Sequence, residues 1–158
     1  MAKLKKITPF LWYETGAKEA AKHYVSVFGK DSKIRSVSTM TDTPSGTVEI
    51  VEVKLLGERF ILMAAGPFEK FTAATSFVVH CDTQAEIDRY WKKLSADPQA
   101  EQCGWLKDKY GVSWQIVPTV LTELLADKDR AKAKRVQEAF LQMKKFDIKA
   151  LKAAYKGK

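Results

Sequence analysis

Hydrophobic and polar positions along the chain fall into two copies of one order. Phe10-Leu-Trp-Tyr13 is an aromatic, apolar run of the kind a strand favours. It passes through Glu14-Thr15-Gly16 into a helical spacing that ends at Phe28, where Gly29 is a natural stop. Two strands are predicted next, over residues 33–41 and 46–55, joined by the turn Asp42-Thr43-Pro44-Ser45-Gly46. In the second of these, Val48, Ile50, Val53 and Leu55 mark the expected buried side, with an irregularity at Val51-Glu52. Leu56-Gly57-Glu58 then turns the chain into a strand over residues 59–65.

The second copy opens on Ser76-Phe-Val-Val-His-Cys81. It turns at Asp82-Thr83 into a helix reaching about Ser95, with Thr83 and Glu86 spaced for a capping box. Residues 100–107 and 111–117 read as its following strands, joined by Asp108-Lys109-Tyr110-Gly111. Residues 9–28 lie on residues 76–95 without a gap, placing Phe10 on Phe77, Glu19 on Glu86, Lys22 on Arg89 and Tyr24 on Trp91. Each half is a strand, a helix and mainly antiparallel strands, so the fold class is α+β. Beyond Pro118 the pattern turns helical over residues 119–125, Asp127 to about Lys145, and Asp147 to about Lys156. Val136, Phe140 and Met143 recur there at helical spacing. The domain reading is residues 1–118 as paired modules (about 7–66 and 75–118), with residues 119–158 as a basic helical extension packed on the same domain.

Charge sharpens this division. The 158 residues carry 27 Lys+Arg against 19 Asp+Glu, a net of +8. Residues 119–158 hold 11 basic and 5 acidic groups, so +6 of the excess sits in the extension and only +2 in the modules. Asp127 and Asp129 near the start of the middle helix, and Lys144 and Lys145 near its end, match the helix dipole. The extension therefore reads first as a solvated face and only second as a phosphate-binding patch, since no nucleic-acid motif accompanies it. Cys81 and Cys103 cannot build a disulfide framework, and no Cys/His spacing suits zinc. No apolar h-region follows MAKLKK and no apolar run approaches ~20 residues, so the expectation is a cytoplasmic protein without a membrane segment.

Two stretches, Thr75-Ser-Phe-Val-Val-His-Cys-Asp82 and Cys103-Gly-Trp-Leu-Lys-Asp-Lys-Tyr-Gly-Val-Ser-Trp-Gln-Ile-Val-Pro118, resemble the PhnB-like branch of the vicinal oxygen chelate superfamily. That superfamily also holds glyoxalase I, fosfomycin- and bleomycin-resistance proteins and extradiol dioxygenases, and members of this branch often carry the label 3-demethylubiquinone-9 3-methyltransferase. The resemblance runs from about Ile7 to Tyr155 and includes Lys144-Lys145-Phe146-Asp147-Ile148. It implies two βαβββ modules enclosing a cavity with their helices outside, usually as a homodimer. Metal-dependent members place His, Glu or Gln ligands in the first and last strands of each module. The matching positions here are Thr8 or Pro9, Ile61 or Met63, Ser76 and Gln115, and of these only Gln115 is a plausible hard-metal ligand. The expectation is no bound metal and no cofactor. Methyl transfer from S-adenosylmethionine on a Rossmann domain also lacks support, because the 8 Gly are scattered and no G-x-G occurs.

If those correspondences hold, alternation turns Pro9, Leu11 and Tyr13, then Ser76, Val78 and His80, and then Ser113, Gln115 and Val117 toward a cavity, while Phe10, Trp12, Phe77 and Trp114 point to the helices. Leu11, Tyr13, Met63, Ser76, Val78 and Ser113 are thus the expected ligand-binding residues, and His80 and Gln115 the candidate catalytic pair. His80 reads first as a strand histidine hydrogen-bonded near Asp82 and second as an acid or base, and Cys103 as a small hydrophobe rather than a nucleophile. Trp105 and Trp114 are expected as core or dimer anchors. Gly66-Pro67-Phe68, with Phe71, is expected either to cement the modules or to cover the cavity as a flap. The leading functional expectation is a homodimeric protein binding an unknown small molecule without a metal. A metal-independent lyase, isomerase or transferase comes second, and nucleic-acid binding through the basic extension third.

Overall fold

The computed structural model describes residues 6–158, which divide into two compact units, residues 6–70 and 71–158. In the first unit, β1 (Phe10–Tyr13) is followed by α1 (Ala17–Phe28), β2 (Lys33–Thr43), β3 (Gly46–Leu55) and β4 (Glu58–Ala64). The sheet order is β1-β4-β3-β2, with β1 parallel to β4 and the other pairs antiparallel. The helix crossover therefore makes the first and last strands neighbours, Leu11 facing Leu62 and Trp12 facing Met63. One face of this sheet is covered by α1, whose Ala17, Ala20, Ala21, Tyr24, Val27 and Phe28 are buried with Val51, Val53, Leu55 and Leu62. Small alanines let the helix lie close, and the large residues behind them fill the space that remains.

The expected buried side of β3 needs one correction. Val51, Val53 and Leu55 are buried on one face, whereas Ile50 is half-buried on the opposite face beside Met63, and Val48, also buried, falls on the Ile50 side. From Glu49 to Leu55, β3 pairs with β4 without a slip. The register shifts lie in its pairing with β2, between Ile34 and Ser36 and between Met40 and Thr43.

The second unit contains β5 (Ser76–Cys81), α2 (Gln84–Leu94), a 3₁₀ turn at Pro98–Ala100, β6 (Trp105–Lys107) and β7 (Ser113–Pro118). Its sheet is three-stranded, ordered β5-β7-β6, with β5 parallel to β7. The strand expected over residues 100–107 is thus reduced to three residues, and this module departs from the βαβββ order. Asp97 caps the 3₁₀ turn through Gln99 N, and the chain then covers the edge of β6. Ala96 N donates to Lys107 O, and Gln102 and Trp105 exchange both backbone bonds, leaving no open ladder edge at those positions. The capping box forms at α2: Thr83 Oγ1 accepts from Glu86 N at 3.2 Å, while the Glu86 carboxylate accepts from Asp82 N rather than from Thr83 N.

Three helices complete the second unit: α3 (Thr119–Leu125), α4 (Arg130–Leu141) and α5 (Ile148–Lys156). The middle helix is shorter than expected at both ends, because Asp129 caps it through Ala131 N and Lys132 N and the chain leaves it after Leu141. Leu121, Val136, Phe146 and Leu151 form a separate buried cluster, joined by Val117 from the end of β7. No helix among the described residues is long and apolar enough to cross a membrane.

Candidate functional site

Each sheet has one face against its helices and one that its own helix does not cover. On β1 the orientation is the reverse of the expected one. Leu11 is 7% and Tyr13 3% exposed, and the Tyr13 and Tyr24 hydroxyls are hydrogen-bonded at 3.1 Å, which places Tyr13 on the helix side. Phe10, 51% exposed, and Trp12 occupy the uncovered face, aligned with Ile61 and Met63 of β4. The cause is local. The Ala-rich face of α1 leaves room for the long Tyr13 side chain, whose hydroxyl meets the buried Tyr24 hydroxyl of that helix. The Trp12 indole donates to Gly66 O at 3.1 Å, and the Phe68 ring stands edge-on to it at 6.4 Å. Gly66 has φ +90, and a Cβ there would lie 2.9 Å from Phe68. The Gly66-Pro67-Phe68 turn is therefore folded back onto Trp12 of its own unit.

Sequence reasoning missed one charged pair on this face. Arg59 Nη2 donates to Glu52 Oε2 at 2.8 Å, and Arg59 Nε is buried with no hydrogen-bond partner among the described residues. Opposite charges on adjoining strands were the available signal, but the register that brings them together was not. A buried guanidinium N–H without an acceptor is costly, and it is a donor ready for a ligand atom or water.

In the second unit the expected orientation holds. Val79 and Cys81 are buried toward α2, while Val78 is 47% exposed and His80 is exposed on the other face. The register sets Ser76 opposite Ser113, Val78 opposite Gln115 and His80 opposite Val117. Gln115 Nε2 donates to Ser76 Oγ at 2.9 Å, so these two predicted site residues meet directly. On β6, Trp105 stands opposite Gln115 and Lys107 opposite Ser113. A cavity of about 550 Å³ lies there, lined by Cys103, Trp105, Lys107 and Ser113 among others. Ser113, 3% exposed, is the most enclosed polar residue of that lining. Trp105 thus lines a cavity, whereas Trp114 is core, 2% exposed and 5.4 Å from the Phe77 ring. No hydrogen bond joins His80 to Asp82: the Asp82 carboxylate instead accepts from Thr119 Oγ1 at 2.8 Å.

The residues that carry the resemblance are chiefly structural. The Asp108 carboxylate, 3% exposed, accepts from Tyr110 N at 2.9 Å, Val112 N at 3.0 Å and Trp114 Nε1 at 2.8 Å. It ties the turn of the Asp-Lys-Tyr-Gly-Val-Ser-Trp stretch to the core. Cys103 and Gly104 form the tip of a two-residue hairpin turn with φ +49 and +82, repeating Leu56 and Gly57 at +48 and +90 in the first unit. The backbone N–H groups of Cys103 and Gly104 donate to Met143 O and Lys144 O, each at 2.8 Å. Burial pushes the Cys81 thiol up to about 12, with Glu86 and Asp82 adding to the effect, so Cys81 is an inert core residue.

The donor sets do not fit a divalent metal. In the first unit the last-strand positions on the uncovered face are Ile61 and Met63, neither a hard ligand. In the second, Ser76 and Gln115 are hydrogen-bonded to each other. No group of three His, Cys, Asp or Glu side chains converges among the described residues.

Several solved structures resemble the chain. The PhnB protein of Bacillus cereus is 33% identical, with a TM-score of 0.61, over 73% of this chain and 100% of that one. FosX, the fosfomycin resistance protein of Mesorhizobium loti, is 16% identical with a TM-score of 0.54, over 80% of this chain and 99% of its own. A protein of Pseudomonas aeruginosa is 20% identical with a TM-score of 0.50, over 73% and 98% of the two chains. The last two establish likeness of fold alone. No curated protein matches the chain. The 3-demethylubiquinone-9 3-methyltransferase family model matches residues 5–117, which stops at the end of β7 and leaves the helical extension outside. With a fold of the glyoxalase/bleomycin resistance/dioxygenase kind and this match over most of its length, the chain belongs to the PhnB-like 3-demethylubiquinone-9 3-methyltransferase family.

Proposed function

We propose that this protein binds a small, mostly apolar molecule on the uncovered faces of its sheets, as a homodimer and without a divalent metal. The observation that carries the reading is the cavity of about 550 Å³ beside β6, where Trp105 offers an aromatic surface and Ser113 a polar side chain. Its size suits a small molecule, and apolar walls with a few polar groups are the usual composition of such sites. The Gln115–Ser76 pair, at 2.9 Å, lies on the same strand face but outside the lining of this cavity. Native mass spectrometry of protein purified gently from cell lysate tests this. A co-purified small molecule is expected, and it is lost in Trp105→Ala. Protein free of any adduct, or an adduct indifferent to Trp105→Ala, argues against the site. Calorimetric titration with Ni²⁺, Zn²⁺ or Mn²⁺ is expected to give no stoichiometric binding, and light scattering is expected to give a dimer mass.

A second reading makes the protein a metal-independent lyase, isomerase or transferase. It is favoured by His80 and Gln115 sharing one face of the β5–β7 pair, His80 opposite Val117 and Gln115 opposite Val78. No hydrogen bond among the described residues orients the imidazole, and an acid–base catalyst usually has such a partner. Under this reading His80→Ala abolishes turnover while ligand binding survives. Nucleic-acid binding through the extension ranks below both.

A further inference from the structure

Six of the eleven basic side chains of the extension, Arg130 by Leu125 O among them, are engaged by carboxylates or backbone carbonyls. Arg135 donates to Ala154 O and Tyr155 O, at 3.0 and 2.8 Å. Lys145 pairs with Asp88 at 2.6 Å, and Lys132, Lys134 and Lys144 each have a carboxylate within 4 Å. Lys149, Lys152, Lys156 and Lys158 differ: none has an ion pair among the described residues. All four line one groove of about 600 Å³ between α5 and the start of α2. Lys149, Lys152 and Lys156 fall at i, i+3 and i+7 on α5, the same side of the helix, while Leu151 is fully buried on another. Like charges at this spacing repel by about 0.2–0.5 kcal/mol a pair.

We propose that this groove is a binding site for a small, multiply charged phosphate-bearing ligand. The two acidic residues that line it are committed to the fold. Asp147 Oδ1 caps α5 by accepting from Ala150 N at 2.9 Å, and Asp82 Oδ1 accepts from Thr119 Oγ1 at 2.8 Å. Four lysines against two carboxylates leave the lining at +2. The groove floor is fixed by Gln84, whose amide donates to Phe146 O at 3.0 Å and accepts from Ile148 N at 2.9 Å. Ammonium groups bind phosphate oxygens as mobile point charges, which suits a ligand with several phosphates. The volume is that of a small-molecule site, and no aromatic side chain lines it, so a nucleic-acid strand would find no surface on which to stack its bases. All four lysines lie beyond residue 117, in the part of the chain that the family match does not reach, and the groove shares no lining residue with the β6 cavity.

Calorimetric titration of the full chain with inorganic tripolyphosphate at low ionic strength tests the assignment. One site is expected, weakened by added salt. Lys152→Glu/Lys156→Glu is expected to weaken binding about tenfold or more, since two attractions become repulsions. Lys30→Glu/Lys33→Glu, an equal change of net charge in the first unit, is expected to leave it unchanged. If circular dichroism shows that the reversed pair unfolds the extension, Lys152→Gln/Lys156→Gln is read instead, with a smaller loss. Absence of tripolyphosphate binding overturns the proposal, and so does equal weakening by the Lys30/Lys33 control. Binding of duplex DNA or anionic vesicles through Lys152 and Lys156, with tripolyphosphate inert, overturns it in favour of a macromolecular surface.

Discussion

Replacing Gly104 by alanine should loosen the helical extension from the family core, and the structure gives the size of the effect. Gly104 has φ +82, and its added Cβ would sit 2.4 Å from Phe146 Cε2 and 3.0 Å from Ile116 O. The left-handed backbone costs an L-residue about 1–2 kcal/mol. Forcing aside the Phe146 ring, which is 2% exposed, adds about 1–3 kcal/mol of overpacking. Gly104→Ala should therefore cost about 2–5 kcal/mol. Phe146→Ala should cost about 3–5 kcal/mol by leaving a cavity in the cluster with Leu121, Val136 and Leu151. In the double variant the ring is gone, and the alanine methyl meets mainly the Ile116 carbonyl. The two losses should then fall short of additivity by about 1–3 kcal/mol. Urea unfolding followed by circular dichroism measures all three variants, and at this chain length each kcal/mol is worth roughly 2–4 °C in Tm. Hydrogen exchange adds a local readout, because the Cys103 and Gly104 amides bonded to Met143 O and Lys144 O should lose protection in Gly104→Ala. Additive losses within about 0.5 kcal/mol would refute the claim that this glycine exists to admit that ring.

Other outcomes follow from single contacts. Asp108→Ala removes one acceptor from three donors and should cost at least about 3 kcal/mol in denaturation, with Asp108→Asn milder because it keeps one acceptor oxygen. Tyr13→Ala should cost about 3–5 kcal/mol and Phe10→Ala less than about 1 kcal/mol; equal losses would contradict the orientation of β1. A thiol reagent should label Cys103 in the native protein and Cys81 only after unfolding, since Cys81 is fully buried. Below the ordinary thiol value of 9.0 both states of Cys81 hold the proton. Above it the unfolded chain ionises first, so stability should fall by up to about 1.4 kcal/mol per pH unit between 9.0 and about 12. Cys81→Ala should flatten that slope in alkaline denaturation curves, and an unchanged slope would assign it to other groups.

The elements most legible in the sequence were those with local causes. Thr119–Leu125 and Gly46–Leu55 form with the predicted bounds, and Thr83 caps α2 as its spacing with Glu86 required. The candidate site was legible in part. Ser76, Val78, His80 and Gln115 share one face because β5 and β7 alternate regularly and pair in parallel. Leu11 and Tyr13 went to the other side because a four-residue aromatic strand has no polar face to declare its orientation. Alternation names two sets of residues, and only the helix that packs on the sheet chooses between them. The shortening of the strand expected over residues 100–107 to Trp105–Lys107 was equally hidden, since the Ala96 N bond to Lys107 O that covers this edge is set by the fold.

The sequence by itself determined the repeated strand–helix–strand order, the family, and the concentration of positive charge beyond Pro118, because each is a property of residue type and spacing. Tertiary structure decided how those residues are used. Asp108, within the most recognisable motif, holds a turn and an indole rather than a substrate. Of the eleven basic groups in the extension, six are spent on carboxylates and backbone carbonyls, and four others lie along one groove. A charge count is fixed by composition, but whether a charge is paired depends on what the chain brings within about 4 Å of it, and that is settled only when distant segments pack together.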